Sequence, residues 1–342
     1  MVPNGWKINP LKNLVNFTNG KGHEKHISES GKYIVVNSKF ISSDGMVFKC
    51  SNESFCPAMK DDILMVMSDV PNGKAIAKCF LVDRNDTYSV NQRVARFRSK
   101  GSDPLFLFYS INRNSYYLEF DDGLKQTNLR KDDVLDCPIK TPPLPEQRKI
   151  AKILSTWDKA IATTEKLIDA SQQQKKALMQ QLLTGKKRLV NPETGKAFEG
   201  DWKKVELGKL LDYKQPTPYL VKSTEYSDEY PTPVLTAGKT FILGYSNEDF
   251  GIFSEELPVI IFDDFTTASK FVNFPFKAKS SAMKILIAKD GVSIKYVYEA
   301  MQVLNYPVGG HQRHWISIFA NLVIELPEPE EQQKIASVLT AA

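Results

Sequence analysis

The sequence has few cysteines and no long apolar segment. Its four cysteines, Cys50, Cys56, Cys79 and Cys137, lie in the first half and include no CxxC pair, which argues against a disulfide framework and a zinc site. No apolar run approaches the roughly 18 residues that a membrane-spanning helix needs, and the N-terminus has no signal-type apolar core. We therefore expect a cytoplasmic protein with reduced thiols and no membrane partner.

Motifs that carry catalysis are also missing from the sequence. There is no GxxxxGK(S/T) phosphate loop, no GxGxxG after a predicted strand, and no (N/D)PP(Y/F) motif of amino-methyltransferases. These absences argue against a self-contained methyltransferase or nuclease. We expect a chain that is not an enzyme and that binds no cofactor or metal of its own.

Candidate metal ligands occur only in pairs. Adjacent acids on a strand or turn usually point apart, so hydrogen bonding in turns is favoured over Mg²⁺ binding. Two HxxH pairs lack the third and fourth ligands that zinc requires. The pairs are Asp61-Asp62, Asp121-Asp122, Asp263-Asp264, His23/His26 and His311/His314.

What the sequence does contain is enough apolar material for large cores. The 342 residues correspond to two or three domains of about 100–200 residues each. With 42% hydrophobic and 25% charged residues the composition is that of a globular protein. The net charge is +4 over residues 1–141 and +5 over 142–200, but −2 over 201–325 and −2 over 326–342. Any contact with DNA must therefore be local.

The chain contains a long internal repeat. Trp6-Lys7 is matched by Trp202-Lys203, and EQRKIAKIL at 146–154 is matched by EQQKIASVL at 331–339. A proline-rich segment precedes each of the latter, where proline can open a helix. The repeated unit is a body, a proline hinge and a helix. We divide the chain into a first body (1–141), a hinge and spacer helix (142–200), a second body (201–325) and the start of a second spacer helix (326–342).

Short apolar or alternating runs in each body, separated by Gly, Pro, Asn and Asp, predict strands and loops. A helix is predicted over 292–304. Together these patterns predict an α+β fold with two mixed α/β domains in a pseudo-repeat, joined by the spacer helix. The predicted strands are 32–36, 63–67, 77–82 and 105–110 in the first body and 232–235, 259–262 and 282–288 in the second.

Residues 146–184 contain neither Pro nor Gly, and Gly185 follows at a position typical of a helix end. This helix would be about 58 Å long. Steps of four and three residues form a seam that predicts coiled-coil packing against a partner helix. The second copy of the helix ends at Ala342 after about three turns, so we expect a truncation, natural or introduced. The apolar seam residues are Ile150, Leu154, Trp157, Ile161, Ile168, Leu178 and Leu182.

Several polar runs are suited to phosphates and base edges, although each could equally be a solvated loop. They are the glycine-hinged GGHQRHW run at 309–315, FTTASK at 265–270 and KAKSS at 277–281. In RVARFR at 93–98, a strand would place Arg96 and Arg98 on one face, either as a stripe facing DNA or as a solvated face.

The hinge PPLPEQRKIA (142–151), the predicted helix and LMQQLLTGK (178–186) resemble the central repeat region of specificity subunits of Type I restriction-modification systems. The resemblance extends over nearly the whole chain, with two variable bodies that look like target recognition domains. In the second body, QPT (215–217), VLTAGKT (234–240), IFDDF (261–265) and FKAKSSAMK (276–284) are similar to recognition domains of the IC subfamily.

This resemblance implies a non-catalytic subunit in which each recognition domain reads one half of a bipartite double-stranded DNA site. It implies that two long helices pack antiparallel, set the gap and dock two modification subunits. Those subunits carry S-adenosylmethionine and methylate adenine N6. Restriction subunits, which need ATP and Mg²⁺, can join them.

Motif position within this resemblance selects candidate DNA contacts. In the first body these are Asn19, Lys21, Asn37, Lys39, Lys74, Arg93 and Gln126. In the second body these are Gln215, Thr217, Lys239, Thr240, Thr266, Lys270, Lys279, Ser280, Gln312 and Arg313.

Two alternatives stay open. A stand-alone sequence-specific DNA-binding regulator would also use two readers on a spacer, but would need no partner along the helix seam. A short second helix would also allow two chains to pair as a homodimer.

Overall fold

The computed structural model describes residues 3–71, 73–238, 240–304 and 314–341, with only the backbone of His314 and Ser317. The chain forms two compact units, Met1–Thr164 and Glu165–Ala342, and the boundary between them falls inside one long helix. The mixture of helices and strands confirms the predicted α+β fold. No helix in the described part of the chain is long and apolar enough to cross a membrane.

The first unit combines short strands with short helices. Its strands are β1 (Lys7–Pro10), β2 (Val15–Asn19), β3 (Tyr33–Val36), β4 (Lys49–Ser51), β5 (Pro57–Ala58), β6 (Ile63–Val66), β7 (Ser68–Asp69), β8 (Cys79–Leu81), β9 (Tyr88–Val90), β10 (Val94–Ser99), β11 (Thr127–Asn128) and β12 (Pro138–Thr141). Its helices are α1 (Leu11–Leu14), α2 (Ser38–Ser42), α3 (Pro104–Ile111), α4 (Ser115–Leu118) and α5 (Lys131–Leu135). Glu24–His26 is a 3-10 turn.

The central sheet of the first unit is antiparallel, in the order β2-β10-β6-β8, and is buried on both faces. Side chains alternate along β6 because successive residues of a strand point to opposite faces. Ile63 and Met65 pack with Leu107 of α3 and Tyr117 of α4. Leu64 and Val66 instead face residues of the second sheet, which has the order β4-β3-β9-β5.

One predicted strand is wrong. Residues 105–110 lie in α3, whose N-cap Asp103 accepts a hydrogen bond from the N–H of Phe106, with Pro104 as the first helical residue. Residues 105–108 are all apolar, and Phe106 and Leu107 are buried. An apolar run buried on most sides does not reveal its period, so the Asp-Pro start was the more informative signal.

The long helix α6 covers Leu144–Leu182, two residues earlier at each end than the predicted range. Gly185, with φ +66°, takes the left-handed conformation shortly after its end. This conformation is easy for glycine because it has no Cβ. The long helix predicted from the sequence is therefore confirmed.

The second unit repeats the arrangement of the first. Its strands are β13 (Lys203–Glu206), β14 (Leu211–Lys214), β15 (Thr232–Leu235), β16 (Ile242–Ser246), β17 (Val259–Asp263), β18 (Ser269–Val272), β19 (Lys277–Ala278), β20 (Met283–Ala288) and β21 (Val323–Leu326). Its helices are α7 (Leu207–Leu210), α8 (Ile294–Val303), α9 (His314–Ser317) and α10 (Pro329–Ala341), with 3-10 turns at Thr217–Tyr219 and Phe319–Asn321. The helix predicted over 292–304 is thus present as α8.

The central sheet of the second unit has the order β14-β20-β17-β18 and is antiparallel, and a second sheet has the order β16-β15-β19. Ile260 and Phe262 of β17 pack in the core with α8 and α10. Val259 and Ile261 face a second core with Phe253. Both units therefore use one doubly buried sheet between a helical layer and a smaller sheet.

Candidate DNA interface

In the first unit, several strands end or begin at one edge of the central sheet. Asn19 is the last residue of β2 and lies opposite Ala95, near the start of β10. Val66, the last residue of β6, lies opposite Val94. We call the loops that leave the sheet here the first-unit edge. Among the predicted contacts, Asn19 and Arg93 are exposed on it.

The chain after β2 is held tightly against the loop before β10. The N–H of Gly20 donates to the carbonyl of Val94 (2.9 Å), and that of Lys21 donates to the carbonyl of Val90 (3.0 Å). A Cβ on Gly20 would overlap the carbonyl oxygen of Asn91, so only glycine fits this approach. Lys21 is exposed beside it.

Arg93 has a left-handed backbone, with φ +67°. Its carbonyl accepts the N–H of Met67, just after β6 (2.8 Å). Non-glycine residues rarely adopt this conformation, and such strain is concentrated at functional sites. The surrounding hydrogen bonds thus hold the exposed Arg93 side chain at the first-unit edge.

Asn37 and Lys39 lie where β3 ends and α2 begins. The side-chain oxygen of Asn37 caps α2 by accepting the N–H of Phe40 (2.9 Å), so part of this side chain has a structural role. Lys39 is exposed in the first turn. The N–H of Asn91 donates to the carbonyl of Val36, which joins this segment to the first-unit edge.

Gln126 and Lys74 flank the continuation of β6. The amide nitrogen of Gln126 donates to the hydroxyl of Ser68 in β7 (2.8 Å). Lys74 is exposed on a loop whose backbone is held by Asp69, which accepts the N–H groups of Ala75 (2.6 Å) and Ile76 (3.0 Å). Six of the seven predicted first-body contacts therefore lie in loops or at strand ends, and Lys39 lies in the first turn of α2.

The second unit has an equivalent edge. Lys214, the last residue of β14, lies opposite Ile285, and Asp263, the last residue of β17, lies opposite Met283 at the start of β20. Gln215 and Thr217 follow β14, and both are exposed. We call these loops the second-unit edge.

The turn between β17 and β18 belongs to the second-unit edge. Asp263 accepts the N–H groups of Phe265 (2.9 Å) and Thr266 (2.8 Å), and Thr267 has φ +60°. These contacts leave the Thr266 side chain exposed. Lys270 is half-buried on β18, opposite Ile261.

The segment after β19 brings Lys279 and Ser280 to the same edge. The N–H of Lys279 donates to the carbonyl of Leu235 at the end of β15 (3.0 Å). Its ammonium donates to the hydroxyl of Tyr226 (3.0 Å), and Ser280 is exposed next to it. Thr240 lies in the loop after β15, where its carbonyl accepts the hydroxyl of Thr236. Lys239, Gln312 and Arg313, and most of the GGHQRHW run, lie outside the described residues.

Two lysines of the second unit play parts that the sequence did not indicate. Lys277, interpreted above as a phosphate contact, is fully buried, and its ammonium pairs with Glu248 (3.0 Å) and donates to the carbonyl of Phe250. Lys284 is also buried, 2% exposed, and donates to the side-chain oxygen of Gln215 (3.1 Å). The only available signal was a lysine inside a run of apolar strand residues.

Burial would raise the pKa of Glu248, but the opposing contacts are stronger. Its carboxylate accepts the N–H groups of Ser223 and Lys222 and pairs with the Lys277 ammonium. These groups hold the pKa of Glu248 below its ordinary value. The charged form thus ties the loop after β16 to the 222–223 segment and to β19.

The arginines of β10 are neither a free stripe nor a merely solvated face. Arg98 makes a bidentate pair with the buried Asp62 (2.7 and 2.8 Å), and Arg96 approaches the same carboxylate at 3.9 Å. The hydrogen bonds that Arg98 donates to Asp62 raise the pKa of the Arg98 guanidinium. Arg98 therefore neutralises a buried acid, and Arg96 also donates to the Pro57 carbonyl and the Thr18 hydroxyl.

The paired acids act in turns. Asp62 accepts the N–H of Met59, Asp122 accepts those of Leu124 and Lys125, and Asp263 holds the turn described above. His23 is buried between the Lys21 carbonyl and the Ser89 hydroxyl, at 2.7 Å from each. Within the described ranges, no group of three or more His, Cys, Asp or Glu side chains could hold a metal ion.

The predicted seam of α6 is packed near its ends and exposed between them. Ile150 is half-buried on the first-unit core, and Leu178 and Leu182 pack with Leu339 of α10 in the second-unit core. Lys175 also donates to the Leu339 carbonyl (2.9 Å). The exposed seam residues, with their exposed fractions, are Leu154 (38%), Trp157 (66%), Ile161 (55%) and Ile168 (51%).

An exposed apolar row on one helix is unusual for a protein surface and typical of a docking face. In the first unit, the Tyr109 hydroxyl donates to Asp158 beside this row (2.6 Å). Burial and this carboxylate raise the pKa of Tyr109. The exposed part of the seam is a candidate surface for a partner helix.

Comparison with known proteins places the first half of the chain in a family. The family model described as "Type I restriction modification DNA specificity domain" matches residues 3–171. The Escherichia coli EcoR124I/EcoR124II specificity subunit is 49% identical over 145 residues, which cover 41% of this chain and 35% of that protein. The MjaVIII specificity subunit of Methanocaldococcus jannaschii is 27% identical over 221 residues, 62% of this chain and 50% of the relative.

The fold is shared with a solved structure. The crystal structure of a Type-I restriction-modification system S subunit from M. genitalium matches with a TM-score of 0.68 at 16% identity, covering 100% of this chain and 90% of the other. The chain spans only about a third to a half of the length of the two curated relatives above. Residues 3–171 belong to the family of type I restriction-modification DNA specificity domains.

Proposed function

We propose that this chain is the DNA specificity subunit of a type I restriction-modification complex and has no catalysis of its own. Each unit reads one half of a bipartite site in double-stranded DNA. The observation that carries the proposal is that most of the predicted contacts described in each unit lie in loops that enter or leave one end of the central sheet, or in segments hydrogen-bonded to those loops. Two such edges on one chain suit two half-sites.

Readout is direct. Exposed polar side chains at the two edges, such as Asn19, Gln215 and Thr266, are placed to meet base edges in the major groove, because the donor and acceptor pattern there distinguishes all base pairs. Phosphate contacts position the protein without reading sequence. They are supplied by Lys21, Lys39, Lys74, Arg93 and Lys279. The target adenine is flipped out of the duplex into a partner's pocket.

The long helix α6 is the spacer and the docking surface. Its exposed seam packs against a second helix and two modification subunits, which carry S-adenosylmethionine and methylate adenine N6. Restriction subunits with ATP and Mg²⁺ can join the complex. A second copy of this chain is an alternative source of the partner helix. The cytoplasmic location and the IC-like character of the second unit also belong to this proposal.

The test is co-expression of the chain with its modification subunit, followed by methylation of a random DNA pool and mapping of N6-methyladenine by long-read sequencing. A bipartite, asymmetric motif with a fixed gap is expected. A palindromic motif would mean that two chains pair and use one reader each. Absence of methylation in a complex that forms normally would contradict the proposal.

A variant of the seam separates the proposal from a stand-alone regulator. Replacing both Ile161 and Ile168 with Glu places two charges on an exposed apolar row, so binding of the modification subunit should fall at least about tenfold. A matched control is Thr163→Glu with Gln172→Glu, on exposed positions outside the seam. Pull-down and DNA binding are measured together, and intact assembly by the seam variant would favour the regulator.

A further inference from the structure

Gln215 and Lys284 face each other at the second-unit edge. Gln215 follows β14 directly and is exposed, whereas Lys284 is the second residue of β20 and is only 2% exposed. The register pairs Lys214 with Ile285, which brings Gln215 next to Lys284. A buried cation therefore lies immediately beneath an exposed amide.

The Lys284 ammonium is held from several sides. It donates to the side-chain oxygen of Gln215 (3.1 Å), lies 3.7 Å from the buried Asp264 carboxylate and sits 5.3 Å from the centre of the Tyr213 ring. Asp264 in turn accepts the N–H of Trp315 (2.9 Å). Because the lysine is anchored by the core, it cannot follow a movement of Gln215 freely.

The chemistry of this contact decides how the amide is turned. An ammonium group has three donors and no acceptor, so it can bind only the oxygen of the Gln215 amide. The NH₂ group must then point away from Lys284, and within the described residues it has no hydrogen-bond partner. Gln126 in the first unit differs, because its neighbours Ser68 and Asn128 can each donate or accept.

We propose that Lys284 is a positioning residue that holds the Gln215 amide with its NH₂ group toward DNA, so that the second unit requires a hydrogen-bond acceptor at one base. In the major groove, guanine O6 and N7, thymine O4 and adenine N7 are such acceptors. Cytosine offers an amino donor there and is rejected. This inference rests on the proposed function, in which the second-unit edge meets base edges.

The first variant is Gln215→Glu, on an exposed residue where folding is not at risk. Lys284 would bind one carboxylate oxygen and the other would face DNA as an acceptor. In the complex with modification subunits, methylation mapping should show one base pair of the second half-site changing preference toward an amino donor, by about tenfold. All other positions should keep their preference.

The second variant is Lys284→Met, which frees the amide to turn. Discrimination at the same base pair should relax by about tenfold while the rest of the motif is retained. Lys284→Arg, which keeps a donor-only cation, should restore it. Lys289→Met is the matched control, because Lys289 follows the opposite end of β20 and should leave the motif unchanged.

The outcomes separate this inference from the proposed function. If the unaltered complex methylates no defined motif, the proposed function fails. If it methylates a defined motif and Gln215→Glu changes no base preference, or changes several positions equally, only the role of Lys284 and Gln215 is overturned. The inference is supported if both variants affect the same single base pair. Gln215→Glu should change the preferred base there, and Lys284→Met should relax the discrimination.

Discussion

The two units have the same strand order in their central sheets, but their sequences differ. The strand order β2-β10-β6-β8 corresponds to β14-β20-β17-β18, and the parallel pair β3/β9 corresponds to β15/β19. The bodies between the repeated segments are hardly alike in sequence. Burial on both faces of the central sheet is therefore enough to preserve the strand order, and the loops at the edge of the sheet are free to vary.

The hydrogen bonds that join each body to the helix after it occur in both units. Trp6 donates to Glu146 (3.2 Å), and Trp202 donates to Glu331 (3.1 Å). Gln147 donates to the Pro142 carbonyl and accepts the N–H of Asp103, the N-cap of α3. Each proline hinge is therefore held by the first residues of the helix that follows it.

Gln332 makes the same two contacts in the second unit. It donates to the Pro327 carbonyl and accepts the N–H of Ser293, the N-cap of α8. The difference between the units lies at the glutamate. Glu331 is 2% exposed and makes a bidentate pair with Arg188 (2.8 Å for both bonds). Glu146 is half-buried and, among the residues that the structure describes, accepts a side-chain hydrogen bond only from Trp6.

The variants with the largest expected effect test the difference between Glu331 and Glu146. Glu331→Ala removes the partner of Arg188 and Trp202 in a buried place, so the free energy of unfolding of the second unit should fall by about 3 kcal/mol. Glu146→Ala removes one hydrogen bond and should cost the first unit about 1 kcal/mol. Urea unfolding followed by tryptophan fluorescence measures both. Equal losses would mean that the Arg188 pair adds nothing.

A second pair of variants tests the shared part of the frame. Gln147→Leu and Gln332→Leu each leave a hinge carbonyl and an N-cap N–H without their partner, so each unit should lose about 2 kcal/mol. Gln333→Leu, on the exposed neighbour, should change the free energy of unfolding by less than about 0.5 kcal/mol. If the losses of unfolding free energy for Gln147→Leu and Gln332→Leu are clearly unequal, the two hinges are not equivalent.

The smallest expected effect concerns Glu248, in the second unit. Because its pKa in the folded state lies below the ordinary 4.5, the stability it contributes is complete above pH 4.5 and is lost as the pH falls below that value. Between pH 5 and 3, Glu248→Gln should therefore lose less stability than the unaltered chain, by under about 1 kcal/mol. Chemical unfolding at several pH values measures this.

The control for this pH effect is Asp249→Asn, the exposed neighbour, which should keep the slope of the unaltered chain. A slope that is the same for Glu248→Gln and the unaltered chain would show that Lys277 and the N–H groups of Lys222 and Ser223 do not bias the carboxylate in the folded state.

Sequence reasoning succeeded where a pattern is local. The spacer helix, most strands, α8 and the two-part repeat follow from periodicity, proline hinges and the absence of Pro and Gly over 146–184. It failed at residues 105–110, because a short, mostly apolar run shows no period that separates a strand from a helix. It also misjudged Lys277, because Glu248, the acid that pairs with this fully buried lysine, is distant in the chain.

Sequence reasoning about the candidate site likewise succeeded only in part. Polar motifs selected loops that the fold then brought to one edge in each unit, but no pattern indicated that Asn37 caps a helix, that Arg98 neutralises Asp62, or that Lys284 lies under Gln215. These contacts join residues between 3 and 69 positions apart. The Asn37 cap is a local contact, whereas the partners of Arg98 and Lys284 are set by sheet register, which a single sequence does not display.

By itself the sequence determined the repeated plan of body, hinge and helix, the α+β class and the family, because these depend on composition, short motifs and the period of apolar residues. The tertiary structure alone decided which lysines are buried, which arginines are paired and which way an amide at the second-unit edge is turned. The physical reason is that charge pairing and hydrogen-bond direction depend on distances and burial across the fold, not on neighbours along the chain.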